Sequence, residues 1–155
     1  MIRFAEHQDI PAMVKIIGQS YQHMGFAEFF PEGAEPFDVD TVFNMIGNML
    51  EHPAAGAFVA EHNGEVVGCA AVVLAPFTWN ARILSATEVF WHMRRDVYPS
   101  VQGKKLFVRL LNVMTEWARE QGAAFFVGVT RPGPAGRMLE RRGFKPMEAT
   151  YGGAL

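Results

Sequence analysis

Residues 85–111 read SATEVFWHMRRDVYPSVQGKKLFVRLL, and this stretch decides how the chain is organised. Arg82–Met93 is rich in β-branched and aromatic residues and reads as a long strand. Residues 94–102 read as a loop. Gly103–Glu120 is the clearest helix of the chain, with Leu106, Leu110, Val113, Met114 and Trp117 on one apolar stripe and Gly122 to close it. A strand that runs through a short loop into a helix points several backbone N–H groups the same way. It adds about half a positive charge from the helix dipole. Such an end suits an anion, and a pyrophosphate in particular. Arg94, Arg95, Lys104 and Lys105 surround it, and Gly103 permits close backbone approach. The competing reading is an ordinary strand-to-helix turn with a solvated basic rim.

Outward from that centre, the chain alternates strand and helix signals. Ile2–Phe4 reads as a short strand. Asp9 reads as an N-cap, followed by Pro11 in the first turn and by Ile10, Met13, Val14, Ile17 and Tyr21 at helical spacing up to Gly25. Phe26–Phe37 holds Pro31, Gly33 and Pro36 and reads as a loop. Asp38 or Asp40 caps a second helix, with Val42, Met45, Ile46, Met49 and Leu50 on one face and Pro53 as its stop. Ala57–Glu61 and Val66–Leu74 flank Asn63-Gly64, a two-residue hairpin signal. The unbroken apolar run of the return strand points to burial on both faces. Downstream, Ala123–Val129 reads as a strand and Pro134–Arg142 as a short helix ended by Gly143. Phe144–Leu155 reads as strand material. The order β, α, α, β, β, β, α, β, α, β, with room for one more strand, gives an α/β or α+β class. The expected architecture is a mixed sheet of six to seven strands flanked by about four helices, as one domain over residues 1–155.

The 155 residues are 50% hydrophobic and 19% charged, which excludes a disordered chain. The lone Cys69 excludes an intrachain disulfide framework and a cysteine-rich zinc site, and it reads as inert core. The histidines lack ligand spacing, so no metal is expected. The longest apolar run, Cys69–Phe77, is too short to span a membrane, and no apolar signal core follows the start. A cytoplasmic protein without a membrane partner is the default. The net charge of −2 is polarised: residues 1–93 carry 11 acids and 3 bases, residues 94–155 carry 5 acids and 11 bases. Such a chain can draw an anion to one half and a cation to the other. A nucleic-acid partner is discounted, because the bases are not interleaved with exposed aromatics.

The chain resembles the GNAT-type N-acetyltransferase superfamily, most closely its short phage and prophage members. The resemblance runs from IRFAEHQDIPAMVKI through GAFVAEHNGEVVGCAAV, ATEVFWHM and GKKLFVRLLNVMTEWAREQGA to RMLERRGFKPMEATYGGAL. No one piece is specific; their order and spacing are. The resemblance implies a splayed sheet holding acetyl-CoA between its fourth and fifth strands, with direct acetyl transfer to an amine. It implies a cofactor site of His92, Met93, Arg94, Val101, Gln102, Gly103, Lys104 and Lys105. The family's phosphate loop reads Arg or Gln, two residues, Gly, one residue, then Gly or Ala. Here those positions hold Tyr98, Val101 and Gly103, so Gly103 alone fits, and Pro99 removes one N–H. The tyrosine that protonates the departing thiolate in many members matches Leu139, and an upstream asparagine matches Pro132.

Glu88 matches a glutamate that takes the amine proton in related proteins. Set among Val89, Phe90 and Trp91, its carboxyl is expected to hold its proton more tightly than usual, as suits a general base. The alternative is a head group in solvent. His92 lies four residues beyond Glu88 and shares its face unless a bulge intervenes. Tyr151 or water is left to protonate the thiolate, whose pKa near 8.5 makes it a good leaving group. The resemblance places the acceptor site at the loop between the first two helices and at the last strands. That loop carries Glu28, Glu32, Glu35, Asp38 and Asp40 and no base, which favours a cationic small-molecule or protein amine. Phe26, Phe29, Phe30 and Phe37 line an apolar pocket there or close the core. The second function class is a GNAT-fold protein that binds CoA or a host protein without turnover. Family members often pair as homodimers, but no segment here demands it.

Overall fold

A computed structural model of the chain describes residues 1–129 and 133–147. It contains β1 (Ile2–Phe4), α1 (Ile10–Met24), α2 (Val39–Glu51), β2 (Ala55–His62), β3 (Glu65–Phe77), β4 (Asn80–Met93), α3 (Val101–Glu120), β5 (Phe125–Val127) and α4 (Pro134–Glu140). Among the described residues one five-stranded sheet runs β1-β2-β3-β4-β5. The first three pairings are antiparallel and β4 pairs β5 in parallel, with α3 as the crossover. Five strands are thus seen among the described residues, where six to seven are expected over the whole chain. Phe144–Met147 is not strand, and residues 148–155 lie outside the described residues.

The β2–β3 hairpin turns at Asn63 and Gly64 with φ of 52° and 80°, the paired left-handed conformation that Asn-Gly favours. β3 is buried on both faces, as its apolar run requires. Ala70 and Val72 pack with Leu106, Leu110 and Met114 of α3. Cys69 and Ala71 pack with Met13, Ile16 and Ile46 of α1 and α2. The sheet is thus the middle of three layers. β3 and β4 both outrun their expected ends because they pair each other beyond the rest of the sheet, out to Phe77 and Asn80. Burial holds the Cys69 thiol protonated well beyond its ordinary range.

Two caps differ from expectation. Asp9 stands at the start of α1, but its carboxylate does not cap the helix. It accepts from Arg3 Nη1 and Nη2 at 2.6 and 2.9 Å and from the Glu6 N–H at 2.8 Å. Arg3 holds it well below the ordinary carboxylate range. α3 begins two residues before Gly103, because Ser100 caps it: Ser100 Oγ accepts from the Gly103 N–H at 2.9 Å. At α2 the cap is Asp38, which accepts from the Thr41 N–H at 2.7 Å. No helix is long and apolar enough to cross a membrane among the described residues.

Candidate active site

β4 and β5 pair only over Ser85–Thr87 and Phe125–Val127. Beyond Thr87, β4 continues for six residues to Met93 while β5 ends, so the two strands part. One hydrogen bond reaches across the opening, from the Val129 N–H to Glu88 Oε2 at 3.1 Å.

A β-bulge shapes this part of β4. Val72 opposes Glu88 and Ala71 opposes Phe90, leaving Val89 as the extra residue. An extra residue reverses the alternation of side chains beyond it. Glu88 therefore shares the α3 face with its partner Val72, whereas His92 opposes Cys69 on the α1/α2 face. The expectation that Glu88 and His92 share a face holds only without a bulge, and the bulge separates them.

Glu88 is 8% exposed, so its head group is not in bulk solvent. Burial raises its pKa from 4.5 to about 7, partly opposed by the Val129 hydrogen bond. Burial pushes His92 down to about 4, so its imidazole is neutral near pH 7. Met93 is buried in the α3-side core, so its side chain packs rather than binds. Arg94 is engaged within the protein: Nε donates to Asp96 Oδ1 and Nη1 to Glu65 Oε2, both at 2.8 Å.

The turn from β4 into α3 satisfies most of its own polar groups. The Val97 and Tyr98 N–H groups donate to the Arg94 carbonyl, and the Ser100 N–H and Oγ donate to the Val97 carbonyl. The N–H groups of Val101 and Gln102 have no partner among the described residues. Val101 is 71% exposed, and Lys104 and Lys105 are exposed beside it. Gly103 does permit a close backbone approach. A Cβ there would lie 2.0 Å from the Val97 carbonyl oxygen, so the missing side chain makes room for the chain's own turn. Sequence reading missed Ser100, although Ser three residues before a helical N–H is a recognisable cap signal.

On the acceptor side, Glu28, Glu32, Glu35 and Asp40 are exposed, and Asp38 is occupied as a cap. Phe37 and Phe26 pack on Tyr21, with ring centroids 5.4 and 5.1 Å away, and Phe37 also packs against the α1/α2-side core. Phe30 is exposed. A hollow of about 1030 Å³ lies between α1 and the turn after β4. Lys15, Gln19, His23, Glu65, Arg94 and Asp96 line it, and Glu88 does not. It is wide open and polar, so the chemistry is better assigned to the parting strands. Among the described residues no three acidic, histidine or cysteine side chains are grouped to hold a metal. Leu139 is buried beside Gly128. Pro132 and Tyr151 lie outside the described residues.

Comparison with known proteins followed the same outline. The sequence pattern of the Acetyltransferase (GNAT) family matches residues 16–144. A search of curated proteins gave no match. The fold is similar to a transcriptional regulator from Bacillus halodurans C-125, with a TM-score of 0.74 and 19% identity over 97% of this chain and 96% of that one. It is similar to a "predicted acetyltransferase with acetyl-CoA" from Clostridium acetobutylicum, with a TM-score of 0.73 and 17% identity over 97% and 93%. It is also similar to a ribosomal-protein-alanine N-acetyltransferase from Brucella melitensis biovar Abortus 2308, with a TM-score of 0.67 and 16% identity over 97% and 96%.

Proposed function

The chain belongs to the GNAT acetyltransferase family, and from that premise we propose that it transfers the acetyl group of acetyl-CoA to the primary amine of a cationic acceptor. The observation that carries the reading is Glu88, a buried carboxyl with a raised proton affinity at the point where β4 and β5 part. Within the family we group the chain with the short phage and prophage members, on the sequence likeness alone.

The donor set suits a pyrophosphate. Two N–H groups without a partner among the described residues, those of Val101 and Gln102, stand at the positive end of a 20-residue helix with Lys104 and Lys105 beside them. These four residues would hold the phosphates. Arg94 and Met93 are committed elsewhere, and His92 faces the other side of the sheet. When bound, acetyl-CoA supplies a thioester carbonyl at which the amine nitrogen displaces the thiolate. Glu88 accepts the proton that the amine must lose, and a base with a pKa near the working pH suits that task. Leu139 has no proton to give, so the thiolate takes its proton from water or from Tyr151. Holding the two reactants together supplies much of the remaining acceleration. Lys104→Glu and Lys105→Glu are each expected to weaken acetyl-CoA binding, more strongly at low salt, as calorimetric titration would reveal.

The acidic loop between α1 and α2 argues for the sign of the acceptor. It raises the local concentration of a cationic amine, and it also stabilises the ammonium form, so a base is needed to recover the nucleophile. The test is acetyl transfer to polyamines and basic peptides against neutral and anionic amines, at low and high salt. Cationic acceptors are expected to be preferred, with a margin that shrinks as salt screens the loop. Equal use of anionic amines would reject the cationic assignment.

A further inference from the structure

Leu139 on α4 stands where the family resemblance places a tyrosine, and it is 7% exposed. It belongs to the same apolar cluster as Val72, which opposes Glu88 across the sheet, and Ala86, two residues before it. Gly128 brings the two side chains together. A Cβ on that glycine would lie 3.3 Å from Leu139 Cδ1, 3.4 Å from Glu88 Oε2 and 3.4 Å from Phe126 Cε1. The leucine methyl, the carboxylate and the phenyl edge thus converge on one small space. The Val129 N–H is the only hydrogen-bond donor to the carboxylate among the described residues.

No charged group among the described residues acts on Glu88 from the elements around it. On β4, Arg94 is paired with Glu65 and Asp96, and His92 lies on the other face. β5 offers only Phe125, Phe126 and Val127. On α3 and α4 neither the bases Lys104, Lys105, Arg109 and Arg137 nor the acids Glu116 and Glu140 act on it. Exclusion of water is therefore what distinguishes this carboxyl from an exposed one, and buried Leu139 borders the same small space beside Gly128.

We propose that Leu139 is a positioning residue for Glu88: its side chain closes the carboxyl off from water where β4 and β5 part. The inference rests on the reading of Glu88 as the base. It gives the departure from the tyrosine pattern a chemical consequence. A leucine cannot protonate the thiolate, but a thiol with a pKa near 8.5 leaves with little help. An amine, in contrast, needs a base that is effective near neutral pH, and burial beside an apolar side chain supplies one.

The experiment compares Leu139→Ala, which lets water reach the carboxyl, with Leu139→Met, which keeps the volume. Two readouts are used: the ¹³C titration of the Glu88 carboxyl, assigned by its loss in Glu88→Gln, and the acid limb of kcat/KM against pH. The alanine variant is expected to lower both midpoints by about one unit or more, and the methionine variant to keep the wild-type midpoint. A leucine that only filled the core would cost stability without moving the midpoint, and an unmoved midpoint in the folded alanine variant overturns the proposal. If that variant does not fold, Leu139→Val serves, with a smaller shift in the same direction expected and no shift counting against the proposal. The carboxyl titration needs no turnover. A shifted titration in a protein that acetylates no amine rejects the proposed function and leaves only the shielding of Glu88 by Leu139 standing; the reverse pattern rejects this inference alone.

Discussion

Glu88→Gln is expected to lower the rate of acetyl transfer by about a hundredfold to ten-thousandfold, the range for loss of a general base. Acetyl-CoA affinity should be nearly unchanged, because the groups proposed to hold the phosphates are at residues 101–105, beyond the end of β4. Glutamine keeps the shape, and its side-chain oxygen still accepts from the Val129 N–H, so the opening between β4 and β5 is preserved. Only the capacity to take a proton is lost. The wild-type rate should fall below pH about 7 as Glu88 becomes protonated, and the variant should lack that limb. Initial rates from pH 5.5 to 9 would decide it. A variant with the wild-type rate at neutral pH removes Glu88 from the chemistry.

The same substitution should raise stability, and in a pH-dependent way. Glu88 has a pKa of 4.5 when exposed and about 7 when folded. Between those values the folded chain binds more protons than the unfolded one, so wild-type stability falls as pH rises through that window. The fall amounts to about 3 kcal/mol above pH 7, from a shift of two to three units at 1.36 kcal/mol each. Glutamine does not titrate. Glu88→Gln should therefore match the wild type near pH 4.5 and exceed it by several degrees in Tm at pH 8. Taking the difference between the two proteins removes other titrations, including that of Asp9, which loses its pairing with Arg3 at low pH. A constant difference across pH would mean that the buried carboxyl carries no such penalty. Together the two results would describe a residue that costs the fold stability and is kept for its chemistry.

Much of this arrangement is legible in the residues. Asn63-Gly64 fixes the hairpin, the stripe from Leu106 to Trp117 fixes α3, and the continuous apolar run of β3 announces burial on both faces. These are local signals or simple periodicities. Glu88 could be named as a candidate, but its environment could not be read, because that depends on Val129, Gly128 and Leu139, about 40 to 50 residues away. The bulge at Val89 was invisible too, since no glycine or proline marks it; it arises from the register with Ala71 and Val72. Asp9 looked like a helix cap because Asp before a helix usually is one, yet the competing partner, Arg3, sits on another element. The spacing marks Gly103 as a point of close backbone approach but does not show what approaches it. Its conflict is with the Val97 carbonyl, which only the folded turn brings within reach. Strand ends were underestimated where β3 and β4 extend as a pair, because ladder pairing there outlasts the hydrophobic pattern.

The central claim is that this chain uses acetyl-CoA, held at the start of α3, to acetylate an amine. Thermal unfolding in increasing acetyl-CoA tests it most directly. A ligand that binds only the folded chain stabilises it by about 2.7 kcal/mol at a hundred times its Kd. The midpoint is predicted to climb with acetyl-CoA concentration, and to climb less when Lys104 and Lys105 are both replaced by glutamate. A midpoint that stays fixed up to millimolar acetyl-CoA would contradict the account and leave the chain as a GNAT-fold protein that works without the acetyl donor.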